Sequence, residues 1–162
     1  FNETESFLNG EPMSIFAASG PFTTGADLAY QPLDDLLEHV REVKPDVLLL
    51  CGPFVDARHR LLNPEMAGTP GGFSNGDPPD SLQVVRHVMR DKILAGLREC
   101  PGTVCVVLPS VQDLHVRSVY PQPPFEAEVY RPTAGEQDHQ VEVRMVSNPC
   151  TLRVNEVVIG IS

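Results

Sequence analysis

Residues 46–59 read DVLLLCGPFVDARH, and this stretch decides the fold. The unbroken apolar run from Val47 to Cys51 has no polar alternation, which is the pattern of a strand covered on both faces, as parallel strands are beneath helices. Gly52 and Pro53 end it, because proline has no amide to give a ladder and glycine accepts a sharp turn. Two runs of the same kind flank it: MSIFAA (13–18), closed by Ser19-Gly20-Pro21, and TVCVVL (103–108), running into Pro109-Ser110. The first is expected as a buried strand ending in a turn. Between the first and second runs, QPLDDLLEHVREVKP (31–45) places Leu33, Leu36, Leu37, Val40 and Val43 on one helical stripe. Pro32 suits the first helical position, Asp34 and Asp35 suit the positive end of the helix dipole, and Pro45 stops it. Between the second and third runs, Asp80 or Ser81 caps a helix whose apolar residues Leu82, Val85, Val88, Met89, Ile93 and Leu97 recur at helical spacing as far as Pro101-Gly102. The order is β-α-β-α-β, an α/β fold with parallel strands and right-handed crossovers.

Outside that core the chain changes character. NPEMAGTPGGFSNGDPPD (63–80) is too rich in proline and glycine for a regular element and reads as a surface loop or insertion. After Asp113, Pro121, Pro123, Pro124 and Pro132 keep the path irregular to His139. Alternation returns in VEVRMVS and TLRVNEVVIGIS, expected as antiparallel strands with a tight turn at Asn155-Glu156. Residues 1–12 read as the end of a preceding linker or domain. The strand-like ending at Ser162 makes the whole an expected fragment of a longer polypeptide.

The 162 residues are 41% hydrophobic, enough for one packed domain and too apolar for a disordered tail. With 22 acidic against 12 basic residues the net charge is -10, which leaves no basic stripe to neutralise a phosphate backbone. Direct nucleic-acid binding is therefore disfavoured. No apolar run approaches the roughly 20 residues of a bilayer-spanning helix, and the first residues have neither the charged nor the apolar segment of a secretory signal. A soluble intracellular chain is expected. Cys51, Cys100, Cys105 and Cys150 are scattered without metal-ligand spacing, so reduced thiols are expected, with Cys51 and Cys105 acting as small buried hydrophobes.

In open α/β sheets the functional site lies beyond the carboxyl ends of the strands, here the loops at 19–25, 52–59 and 109–115. A calcineurin-like metallophosphoesterase carries D-x-H, G-D-x-x-D and G-N-H-[DE] at these places, because two metal ions need bridging carboxylates and imidazoles to activate a water. The succession of loops resembles that framework with its ligands gone. Ser19-Gly20-Pro21 stands where D-x-H would stand. Gly52-Pro53-Phe54-Val55-Asp56 keeps the glycine and last aspartate of G-D-x-x-D but has Pro53 for the bridging aspartate. Ser110-Val111-Gln112-Asp113 has Val111 for the asparagine and Gln112 for the histidine. A di-metal hydrolytic site needs those donors.

The wording GPFTTGADLAYQPLDDLL, KPDVLLLCGPFVDARH, LPSVQDLHVRSVYPQPPF and SNPCTLRVNEVVIG is similar to that of the B subunits of DNA polymerase alpha over almost the whole chain. GPFVDARH and VYPQPPF carry the resemblance most specifically. It implies a non-catalytic, nuclear accessory subunit without cofactor, built on an inactivated phosphoesterase fold beside an oligonucleotide-binding-type domain. Such a subunit holds the C-terminal region of the polymerase catalytic subunit and supports primase indirectly. The positions left from the old centre would be Ser19, Pro21, Pro53, Asp56, Val111, Gln112 and Asp113. The same architecture serving another replicative polymerase is the nearest alternative.

Single residues admit other readings. A phosphoesterase with an atypical site would draw on Asp56, His59, Asp113 and His115, yet a metal centre needs three or four convergent ligands, and hydrogen bonds that fix the loops, with Asp56 capping the turn at Ala57, are the simpler expectation. Ser19, Thr23, Thr24 and Ser110 have no His or Lys nearby in sequence to activate a nucleophile. His39 and His87 are expected to sit in helices, partly exposed or satisfied, and His139 in a polar loop. VYPQPPF (119–125) reads as a structural loop held by Tyr120 and Phe125, with a polyproline ligand as the rival. Asp34, Asp35, Glu38 and Glu42 read as a solvated helix face.

Overall fold

A computed structural model describes residues 12–63, 80–130 and 141–162. Four parallel strands, β1 (Ile15–Ser19), β2 (Val47–Cys51), β3 (Val104–Leu108) and β4 (Glu142–Met145), form one sheet in the order β1-β2-β3-β4. A separate antiparallel hairpin joins β5 (Cys150–Val154) to β6 (Val157–Ile161). The mixed α/β class with parallel strands followed by an antiparallel pair is as expected from the sequence.

The two faces of the sheet explain the apolar runs. On one face Leu48, Leu50, Cys105 and Val107 meet α1 (Gln31–Val43) through Leu33, Leu37 and Val40, and the second helical rod through Val85, Val88, Met89, Ile93 and Leu97. On the other face Val47, Leu49 and Val106 lie under Leu152, Val154 and Ile161 of the hairpin. Strand β2 is thus covered on both sides. The expectation for the first strand is corrected: β1 is the outer strand of the described sheet, and its Ala17 and Ser19 are exposed.

The helix ends follow local chemistry. α1 begins after Tyr30, which takes a left-handed conformation (φ 59°) while its carbonyl accepts the amides of Leu33 and Asp34. Pro32 lies in the first turn, and Lys44 closes the helix with its amide on the Val40 carbonyl at 2.7 Å. Val43 stands at the last position and is exposed, outside the expected stripe. Asp80 caps the second rod by accepting the Leu82 amide at 3.0 Å. The rod runs as α2 (Ser81–Arg86), a π-helical stretch His87–Leu94, and α3 (Ala95–Leu97). Gly96 lets α3 approach α1, since a Cβ there would lie 2.9 Å from Leu37 Cδ1. Asp35, Glu38 and Glu42 on the acidic face of α1 are exposed as expected, Asp35 accepting from Gln31 at 2.8 Å, whereas Asp34 is half-buried and binds Lys92 of the rod at 2.6 Å.

Alternation in VEVRMVS misled about direction. β4 pairs in parallel with β3, Val104 opposite Glu142 and Val107 opposite Met145, after the short helix α4 (Ala127–Tyr130). One exposed face produces the same period of two whichever way a strand runs. The Asn155-Glu156 turn between β5 and β6 is present, with Asn155 left-handed at φ 54°. The four cysteines are free. Cys105 is fully buried, which pushes its thiol up to about 12, while Cys51 is only partly covered. No helix among the described residues is long and apolar enough to cross a membrane. The expectations for 64–79, for 1–11 and for His139 lie outside the described residues.

Candidate functional site at the strand ends

The loops after β1, β2 and β3 meet at the carboxyl edge of the sheet. Gly20 and Gly52 extend the ladder by one bond each, to the carbonyls of Cys51 and Leu108, both at 2.8 Å. The turns that follow repeat a tripeptide, Gly20-Pro21-Phe22 and Gly52-Pro53-Phe54, each with a cis glycine–proline peptide; Tyr120-Pro121 and Asn148-Pro149 are also cis. Backbone contact between the two turns is so close that a Cβ on Gly20 would lie 2.1 Å from the Pro53 carbonyl oxygen. The phenylalanines continue the union: Phe22 meets Phe54 with centroids 5.2 Å apart, and Phe54 meets Phe125 edge-on at 5.6 Å. All three are buried.

Asp113 ties the second loop to the third. Its Oδ1 accepts the amides of Phe54 (2.5 Å) and Val55 (2.9 Å), and its Oδ2 accepts the amide of Ser110 (2.8 Å). Backbone bonds run alongside, from Leu114 to the Val55 carbonyl and from Ala57 to that of Gln112. Gly52 is needed here because a Cβ would stand 2.1 Å from Asp113 Oδ2. Burial raises the Asp113 carboxyl to about 6, and the Asp56 charge adds to this, against the pull of three amides that favour the ionised form.

The remaining candidates turn away from one another. Asp56 accepts the Arg58 amide at 2.9 Å, so it caps the turn at Ala57 as expected. Its carboxylate also holds the Arg58 guanidinium, which reaches Gln112 Oε1 as well. His59 is buried; its Nδ1 accepts the Leu61 amide, so Nε2 carries the proton donated to the Thr24 carbonyl at 2.9 Å. His115, left-handed at φ 65°, bonds Ser81 Oγ at 2.7 Å. Ser19 Oγ lies 3.5 Å from the Gly52 carbonyl, Pro21 and Val111 are exposed, and Pro53 is buried. Among the described residues no three His, Cys, Asp or Glu side chains converge on one point. What the arrangement does chemically is hold three loops together.

Two buried residues went unremarked in the sequence. Gln122 donates to the Ser110 carbonyl at 2.8 Å and exchanges backbone bonds with Asn148, whose side chain caps the Pro109 carbonyl. Tyr30 is fully buried, and burial, with the Asp113 and Asp56 charges, raises its phenol further above the ordinary value. The repeated Gly-Pro-Phe was the legible signal for the aromatic contact. Tyr120 corrects an expectation: Phe125 is buried as a holding residue, but Tyr120 is 86% exposed.

Residues 15–162 match the family model for the B subunits of DNA polymerases alpha and epsilon. The chain belongs to that family. It is 33% identical to the DNA polymerase alpha B subunit of Bos taurus over 95% of this chain and 23% of the relative. It is 32% identical to that of Rattus norvegicus over 100% of this chain and 24% of the relative, and 31% to that of Schizosaccharomyces pombe over 95% and 24%. The chain thus spans about a quarter of the length of the relatives it matches. The parallel sheet and the separate hairpin agree with the phosphoesterase-like fold of this family.

Proposed function

We propose that this chain is part of a non-catalytic accessory subunit of the DNA polymerase alpha and primase assembly. It acts in the nucleus, binds the C-terminal region of the catalytic subunit, and supports primase indirectly. Residues 1–162 form part of its phosphoesterase-like domain. The positions Ser19, Pro21, Pro53, Asp56, Val111, Gln112 and Asp113 are the remains of a hydrolytic centre. The observation that carries this reading is the use of Asp113: both its oxygens are taken by backbone amides of Phe54, Val55 and Ser110. A two-metal centre does not fit these residues, because His59 and His115 are directed to Thr24 and Ser81 and Asp56 is joined to Arg58. No cofactor is called for. The net charge of -10 favours contact with protein over direct contact with nucleic acid. Family membership, with relatives that are polymerase alpha subunits by name, supports the partner. Co-purification of the full-length protein with the catalytic subunit's C-terminal region tests it: a stable stoichiometric complex is expected, and failure to associate would overturn the assignment.

A further inference from the structure

Two of the four free cysteines lie on opposite walls of the gap between the sheet and the hairpin. Cys51 ends β2, and its side chain alternates with those of Val47 and Leu49 on the face that the hairpin covers. Cys150 opens β5 in step with Leu152 and Val154, which pack against that same face. The hairpin runs back over the sheet from its carboxyl edge to its amino edge. At the hairpin tip Asn155 Nδ2 donates to Met13 Sδ at 3.4 Å, just ahead of β1. Before its start Asn148 Nδ2 donates to the Pro109 carbonyl at 2.8 Å, one residue beyond Leu108, the β3 neighbour of Cys51. Both cysteines therefore sit at the same end of the same apolar layer, and both are half-buried. Burial raises both thiols, and the Cys150 charge raises Cys51 further, so at neutral pH the pair is protonated and slow to react. Cys100 and Cys105 are no competitors, being buried in the core on the helix side of the sheet.

We propose that Cys51 and Cys150 form a redox-responsive pair, which a low-molecular-weight disulfide such as oxidised glutathione converts into a disulfide that locks the hairpin onto β2. One protein thiol, as its thiolate, attacks a sulfur of the small disulfide; a mixed disulfide forms and one glutathione leaves. The second, as its thiolate, attacks the protein sulfur of that mixed disulfide, and the other glutathione leaves. The two protein sulfurs lose two electrons, the small disulfide gains them, and both protons end on the glutathione thiols. The lock has something to act on, because the hairpin is held to the sheet by side-chain packing and shares no ladder with it.

The test equilibrates the full-length protein in glutathione buffers of increasing oxidised fraction, quenches with a thiol-alkylating reagent and maps the peptides by mass spectrometry. A linked pair of peptides carrying Cys51 and Cys150 is expected, reversed by excess reduced glutathione. Its formation should quicken about tenfold per pH unit below the raised thiol pKa values, since the thiolate is the attacking form. Amide hydrogen exchange in β5 and β6 should slow in the linked protein. Cys150→Ser should abolish the link and leave Cys51 either alkylated or carrying one glutathione. Both thiols still alkylated in the most oxidising buffer, glutathione on both sulfurs without a linked pair, or a link from either sulfur to a different cysteine would each overturn the proposal. None of these outcomes bears on binding of the catalytic subunit, so the functional reading stands or falls separately.

Discussion

Removing the Asp113 carboxylate should destabilise the protein by an amount that follows from its partners. Asp113→Ala leaves the amides of Phe54, Val55 and Ser110 without their acceptor. A buried donor stranded this way costs about 1–3 kcal/mol, so the gross loss is about 3–9 kcal/mol. The variant no longer buries an acid whose pKa has risen from 3.8 to about 6, which returns about 3 kcal/mol. The difference centres on a net loss of about 3 kcal/mol, in line with breaking other buried polar networks. The same shift fixes the pH dependence. The folded state holds this proton more tightly than the unfolded chain, so the contribution is fully present below about pH 4 and lost as pH rises through about 6. Urea denaturation of the protein at a series of pH values measures both effects, with Asp113→Asn as companion. Asn keeps an acceptor for Phe54 and Val55, turns a donor toward Ser110, and cannot titrate. An alanine variant within about 0.5 kcal/mol of the original, or an equal pH slope in the asparagine variant, would refute the reasoning.

Other substitutions test the close approach of the loops. Gly52→Ala and Gly20→Ala should each cost about 1–3 kcal/mol or more, since the added carbon meets Asp113 Oδ2 or the Pro53 carbonyl at 2.1 Å, while Gly25→Ala, with open space, should be near neutral in the same thermal melts. Phe54→Ala should cost about 3–5 kcal/mol in chemical denaturation by emptying the contact between Phe22 and Phe125. Tyr30→Phe removes a buried hydroxyl with no partner among the described residues, so Tm should stay level or rise.

What the sequence disclosed depends on whether the signal is local. VLLLC and TVCVVL were legible because strands covered on both faces need apolar residues throughout. The first strand looked alike, but its edge position depends on partners elsewhere. The parallel course of β4 could not be read from VEVRMVS, since pairing direction leaves no trace in alternation. The π-helical turns at His87–Leu94 kept a spacing close enough to the α-helix to hide. At the candidate site the residues that stand in place of the metal-ligand motifs, Pro53, Val111 and Gln112 among them, could be read letter by letter. The positive role of Asp113 was not, because the amides it accepts from Phe54 and Val55 lie 59 and 58 positions away. Tyr120 and Phe125 are both aromatic residues in one proline-rich loop, and only packing separates the exposed one from the buried one.

The central claim is that this strand-end centre holds loops together and does not hydrolyse phosphoesters. A manganese-supplemented phosphodiesterase assay on the full-length protein, beside Asp56→Asn, tests it most directly. Asp56 is suited to this because its side chain is partly accessible and its loss leaves the Asp113 bonds intact. The account predicts the same absence of turnover in both proteins. Turnover that disappears in Asp56→Asn while the fold is retained would contradict it.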